Sequence, residues 1–222
     1  MDETSKTRKL WGPEEVKVLT GSGIDIGCGP DPVNKDVRRF DIQDGDANYI
    51  TKYVSEEFDY VFSSHCLEHM HKPKEALLEW WKLVRLGGHL FFIVPDEDLY
   101  EQGIFPSRFN PDHKATFTIS KQKSWSPFSI NVMELAMNLP GSKIISIQLQ
   151  DQGYDRKLMK HGEIHMSKWI KIIIKGYKYF SSKCGIKKQT FETLEQSYRT
   201  YDQTLKSETS AQIQCIVKKI SK

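Results

Sequence analysis

The apolar positions of this chain change period several times, and each change predicts an element. Ile24 and Ile26 flank Asp25 within Gly23–Gly27, a two-residue alternation that reads as a short strand running into the glycine-cornered turn GIDIGCGP. Asp36–Asp41 is a weaker strand candidate that ends on a carboxylate and is followed by the polar turn IQDGDA. Phe58–Phe62 reads as a buried strand leading into Ser63, Ser64 and His65. From Pro73 onward, Leu77, Trp80, Trp81 and Val84 recur at helical spacing, and Gly87 with Gly88 is expected to stop that helix. His89–Val94 is apolar on both faces and is halted by Pro95, as suits a strand covered on both sides. Alternation returns at Ile145, Ile147 and Leu149 and again from Ala211 to Val217, predicting two strands that pair antiparallel at one sheet edge. Further helices are expected at Pro13–Leu19 and, within an insertion over about 151–205, at Ile164–Phe180.

Strand, turn, strand, helix, strand is α/β order, predicting a Rossmann-like three-layer sandwich with a mostly parallel sheet and an antiparallel edge strand. In such sheets ligands bind beyond the carboxyl ends of the strands, where Asp25, Asp41, Ser63 and Pro95–Asp98 all fall. The route from Gly29 to Asp41 is short for a crossover helix, so the sheet is expected to be abbreviated between the first and fourth strands of the full pattern.

Composition narrows the class. At 222 residues, with 38% hydrophobic and 27% charged positions, the chain fits a single soluble domain, 13–222, behind a flexible tail, 1–12. Within it, 13–103 reads as a cofactor-binding half and 104–222 as an acceptor-binding half. The net charge of +3 is too small to call for nucleic acid. The four cysteines are scattered and form no C-x-x-C pair, so neither a zinc ribbon nor a disulfide framework is suggested, and a reducing cytoplasm fits best. No leader-like segment or run of ~20 apolar residues is present.

The glycine turn has three possible employers. A dinucleotide site wants G-x-G-x-x-G, but Pro32 holds the third position; a P-loop wants a G-K-[ST] ending that is missing. The remaining reading is a resemblance: DIGCG at 25–29 resembles the first motif of class I S-adenosylmethionine-dependent methyltransferases. FDYVFSSHCLEHM and LVRLGGHLFFIVP resemble the fourth- and fifth-strand motifs of the small-molecule and glycan subgroup, so the resemblance covers residues 22–103. It implies S-adenosylmethionine as cofactor, bound by Asp25, Gly27, Cys28, Gly29 and Ser63, with Asp25, Gly27 and Gly29 at its methionine end. Asp41 would take the ribose hydroxyls, and Asp46 with Ala47 the adenine edge. PSRFNPDHKATF resembles a stretch in bacterial methyltransferases of surface-polysaccharide synthesis, which implies O-methylation of a carbohydrate-derived acceptor.

When a hydroxyl is methylated a base must take its proton, and histidine suits neutral pH. His65, at the end of a strand, is the first candidate and His113 the second; Arg108 and Ser64 are candidates for acceptor binding. His65, Glu68 and His69 also spell H-x-x-E-H, the pattern of an inverted zinc-peptidase helix, so a zinc-dependent hydrolase is one alternative and a non-catalytic cofactor-binding module another. No metal is expected under the leading reading. Lys168, Lys171, Lys175 and Lys178 would share one helix face, solvated or in peripheral contact with a membrane.

Overall fold

A computed structural model describes residues 3–159 and 201–221, together with Ile172 and Gly176. Most of the insertion, including the helix expected at Ile164–Phe180 and its lysine face, lies outside the described residues.

The central sheet has six strands: β1 (Gly23–Ile26), β2 (Arg38–Phe40), β3 (Phe58–Ser64), β4 (Val84–Pro95), β7 (Ser142–Gln150) and β8 (Gln212–Lys219). Their order is β2-β1-β3-β4-β8-β7. The first four run parallel, and β8 pairs antiparallel with β4 and with β7, which forms the edge. Two short strands, β5 (Thr116–Thr118) and β6 (Ser129–Asn131), pair separately and join the main sheet through a bridge between Asp96 and Phe117.

Period-2 patterning divides the core between the two faces of the sheet. Val61, Leu90, Phe92, Val94 and Cys215 point to one side, where α3 (Pro73–Lys82) buries Leu77, Trp80 and Trp81 and α4 (Val132–Met137) buries Leu135 and Ala136. Tyr60, Phe62, Phe91, Ile93 and Ile216 point to the other, packed by Trp11, Val33, Val37 and by Val18 and Leu19 around the end of α2 (Pro13–Val18). Each indole on α3 finds an acceptor: Trp80 Nε1 donates to Ala47 O and Trp81 Nε1 to Pro140 O, both at 2.8 Å.

Two expectations need adjustment. α3 stops at Lys82, not at the glycines; the chain enters β4 at Val84, and Gly87 and Gly88 lie in an irregular start of that strand. There Gly88 passes so close to β3 that an added Cβ would lie 2.7 Å from Asp59 O. Residues 3–8, expected within a flexible tail, form a helix, α1 (Glu3–Arg8), that buries Thr4 and Thr7. The polar residues that suggested a tail are used as tethers: Ser5 N donates to Asp31 Oδ2 at 2.6 Å and Lys6 Nζ to Thr204 O at 2.8 Å.

The abbreviation read from the sequence is present. Residues 27–37 connect the parallel strands β1 and β2 without a helix, and a 3₁₀ turn at Ala47–Lys52 stands between β2 and β3. Side chains do the work a helix would do. Asp25 Oδ2 accepts from Val33 N at 2.6 Å, Arg39 Nη2 donates to Gly29 O, and Ser5 holds Asp31.

Candidate active site

The turn after β1 and the segment after β2 form one wall of a cleft of about 650 Å³, within the roughly 300–1,000 Å³ of small-molecule sites. Gly27, Asp41, Ile42, Asp46 and Ala47 line that wall, and Cys66, His69 and Met70 face them. Gly27, at φ +74, is required twice, because a Cβ there would also lie 2.6 Å from Cys66. Gly29, at φ +51, has open space where its Cβ would be, leaving backbone for a ligand to approach. Asp41 is fixed at the rim by two backbone donors, Gly29 N to Oδ2 and Ile42 N to Oδ1, each 2.7 Å, and keeps lone pairs for further donors such as ribose hydroxyls. Asp46 caps the 3₁₀ turn, accepting from Asn48 N at 2.9 Å and Asn48 Nδ2 at 2.8 Å, and these bonds hold its carboxyl below the usual range.

Three residues expected at the cofactor lie beneath the cleft instead. Asp25 is fully buried, and burial pushes its pKa up to about 7 against the opposing bond from Val33. Its side chain braces the crossover loop. Cys28 accepts from Arg39 Nε at 3.5 Å, and burial raises its thiol. Ser63 Oγ donates to Ile26 O at 2.9 Å, tying β3 to β1.

His65 closes the far end of the cleft. It sits just past β3 at φ 53, a left-handed conformation that costs a non-glycine residue of order 1–2 kcal/mol, and its ring explains how that is held. Nδ1 donates to Glu68 Oε1 at 3.2 Å and Nε2 to Gln212 Oε1 at 2.9 Å. Gln212 is oriented by a chain of amides: its Nε2 donates to Thr7 Oγ1 at 2.9 Å and to Gln150 Oε1 at 2.7 Å, Gln150 Nε2 donates to Gln214 Oε1 at 2.9 Å, and Gln214 Nε2 ends the chain on the Glu15 carboxylate at 3.3 Å. Burial alone would lower the His65 pKa; the hydrogen bond and charge of Glu68 override it and push it up to about 9. With both nitrogens donating, His65 is an imidazolium and offers no lone pair to a substrate proton.

A second cavity, of about 350 Å³, lies on the other side of His65 and His69. Its walls come from α1 (Glu3, Lys6), the turn after β3 (Glu68), the segment after β4 (Tyr100), the loop 106–115 (Phe109, Asn110, His113) and the approach to β8 (Asp202, Ser210, Gln212). Lys114 N donates to Glu68 O at 2.7 Å, which pins the loop and brings His113 beside His69, with ring centroids 5.0 Å apart. His113 is buried, and its Nδ1 donates to Glu101 Oε1 at 2.7 Å, leaving Nε2 as the lone-pair nitrogen. His69 Nδ1 likewise donates to Asp112 Oδ2 at 3.0 Å. Of the other two candidates, Ser64 is buried with an Oγ that has no partner among the described residues. Arg108 is exposed and stands outside the lining of both cavities.

The zinc-peptidase pattern requires both histidines on one helix. Here Leu67–His69 is a single 3₁₀ turn, and His65 lies outside it in a left-handed conformation with both nitrogens engaged. Sequence reading missed Gln212, Glu101, Asn48 and the α1 residues altogether. Ile42, 89% exposed at the cleft rim, had a signal in being the lone apolar residue in a polar turn after the strand carboxylate.

Residues 27–92 match the sequence profile of a family described as "Methyltransferase domain". No curated protein matches the chain. Among solved structures, the chain is similar to a putative methyltransferase from Bacillus halodurans C-125 (14% identity, 95% of this chain and 100% of that one, TM-score 0.49). It is also similar to a SAM-dependent methyltransferase from Archaeoglobus fulgidus (14% identity, 99% and 95%, TM-score 0.48). A third likeness is to the plantazolicin methyltransferase BamL, in complex with a triazolic desmethylPZN analog and SAH (14% identity, 99% and 87%, TM-score 0.47). The profile match spans the glycine turn, most of the cleft and the two central strands, so this part of the chain is similar to a methyltransferase domain.

Proposed function

We propose that the protein is an S-adenosylmethionine-dependent methyltransferase that acts on a hydroxyl group of a small, carbohydrate-derived acceptor of a surface-polysaccharide pathway. The observation that carries the reading is the shared wall: His65 and His69 line both the 650 Å³ cleft and the 350 Å³ cavity, so ligands in the two would meet there. Bound S-adenosylmethionine supplies an electrophilic methyl group. On the cofactor side, Gly27 and Gly29 admit its methionine end, Asp41 accepts from its ribose, and Asp46, Ala47 and Ile42 surround the adenine.

On the acceptor side, the lining mixes carboxylates, Lys6, Asn110 and Gln212 with the rings of Tyr100 and Phe109. Alternating donors and acceptors beside aromatic faces suit a polyhydroxylated ring. An acceptor oxygen must shed its proton as it takes the methyl group, and His113, with Nε2 open toward the cavity, supports that loss whereas His65, with both nitrogens engaged, does not. His65 keeps its cation and holds the turn, the Glu68 carboxylate and Gln212 in register. The test is transfer of labelled methyl groups to a panel of sugar nucleotides and glycosides. His113→Ala is expected to lower kcat by ~10²-fold or more while leaving S-adenosylhomocysteine affinity within ~2-fold. Equal kcat in the variant would remove His113 from the reaction.

A further inference from the structure

Glu68, His69 and His113 each present one ligating atom, and these atoms all lie within 4.8 Å of one another. A cation bonded at about 2.0–2.2 Å to each would set them roughly 3–3.5 Å apart, so the cluster needs only a small closure around an ion. Two nitrogens and one carboxylate oxygen are a donor set that suits divalent first-row metals and leaves positions open.

Three further features point to an ion. Glu68 is fully buried, its Oε1 is taken by His65, and its Oε2 has no partner among the described residues. A buried carboxylate oxygen left without a donor costs about 1–3 kcal/mol, which a cation would relieve. Each histidine is also oriented from behind by a carboxylate on Nδ1, Asp112 for His69 and Glu101 for His113, fixing the tautomer that offers Nε2. That carboxylate–histidine pairing is the usual outer support of metal-bound imidazoles. Finally, all three residues face the acceptor cavity.

We propose that Glu68, His69 and His113 bind a divalent first-row transition cation whose open positions hold the acceptor's hydroxyl oxygens. The proposal rests on reading this cavity as the acceptor site, and it specifies how His113 acts: as a ligand, with the cation easing loss of the hydroxyl proton to solvent water. An acceptor with two adjacent hydroxyls would fill two open positions.

The full chain, stripped with a chelator and dialysed, is titrated with MnCl2 by calorimetry and followed by electron paramagnetic resonance; Co2+ absorption gives a second readout. The proposal expects one Mn2+ per chain, binding at least ~10-fold weaker in both His69→Ala and His113→Ala, with a wild-type circular dichroism spectrum in each as proof of fold. Methyl transfer should fall ~10-fold or more with chelator and return with Mn2+. Absence of Mn2+, Co2+ and Zn2+ binding by the wild type, equal binding in both variants, or transfer indifferent to chelator would each overturn it. The last result would leave the methyltransferase reading standing. If Mn2+ binds as expected and no hydroxylated acceptor is methylated, the cation site holds and the O-methylation reading falls.

Discussion

The two cavities that meet at His65 and His69 are built by different means. The cleft proposed for the cofactor takes one wall from residues 27 and 40–48 and the facing wall mainly from 65–71. The cavity proposed for the acceptor gathers side chains from residue 3 to residue 212, and its central bond, His65 to Gln212, spans 147 positions. A site made of consecutive residues depends on turns and caps; one made of distant residues depends on the whole sheet being in register. Damage to the first should therefore show in cofactor affinity, and damage to the second in turnover at unchanged cofactor affinity.

The largest expected effect is on the local side. Asp41→Ala removes the acceptor proposed for the ribose and the bond that holds Gly29, and charged hydrogen bonds are worth about 1.5–3 kcal/mol each. S-adenosylhomocysteine affinity should drop by roughly 100-fold. Gly27→Ala comes next, since its Cβ would press on Cys66 in a left-handed backbone; a loss of about 1–3 kcal/mol in denaturant unfolding, with weakened cofactor binding, is expected.

On the distant side, Gln212→Leu strands the donor of His65, the Thr7 hydroxyl and an oxygen of Gln150 in a buried setting. It should cost about 2 kcal/mol of stability and lower kcat several-fold, with S-adenosylhomocysteine affinity little changed. Equal losses of cofactor affinity in Asp41→Ala and Gln212→Leu would erase the distinction between the two cavities.

Asp25 supplies a pH test of the crossover loop. Its folded pKa of about 7 lies above the unfolded value near ~3.9, so its protonated form is favoured by folding. That contribution is complete below about pH 4 and is lost as pH rises through about 7, an effect of order a few kcal/mol at most. Thermal unfolding of the wild type should show this decline between pH 4 and 7, and Asp25→Asn should flatten it. The smallest effect is expected at Arg108, which is exposed outside both cavities: Arg108→Ala should change stability by less than ~0.5 kcal/mol and kcat/KM for the acceptor less than any substitution in the lining.

The same division explains what was legible in the sequence. The glycines at 27 and 29, the carboxylate ending β2 and the double-sided β4 are local patterns with local causes, and the abbreviated crossover followed from counting residues between them. Period alone could not reveal that α3 would yield to β4 at Val84, because Val84 fits the helical stripe as well as the strand. It is fully buried in β4, opposite Phe58 of β3, which is a tertiary choice. Nor could it show that Asp25 and Ser63 would turn inward as braces, or that a polar N-terminus would become a wall. His65 looked like a base because of its place at a strand end; the partners that make it a cation lie three residues and 147 residues away.

The most direct test of the account is a crystal structure of the protein with S-adenosylhomocysteine. The account predicts the ribose on Asp41, the adenine between Ile42 and Asp46–Ala47, and the sulfur directed at the His65–His69 wall, toward the cavity that holds His113. A ligand bound outside this cleft, or one whose sulfur points away from that wall, would contradict it.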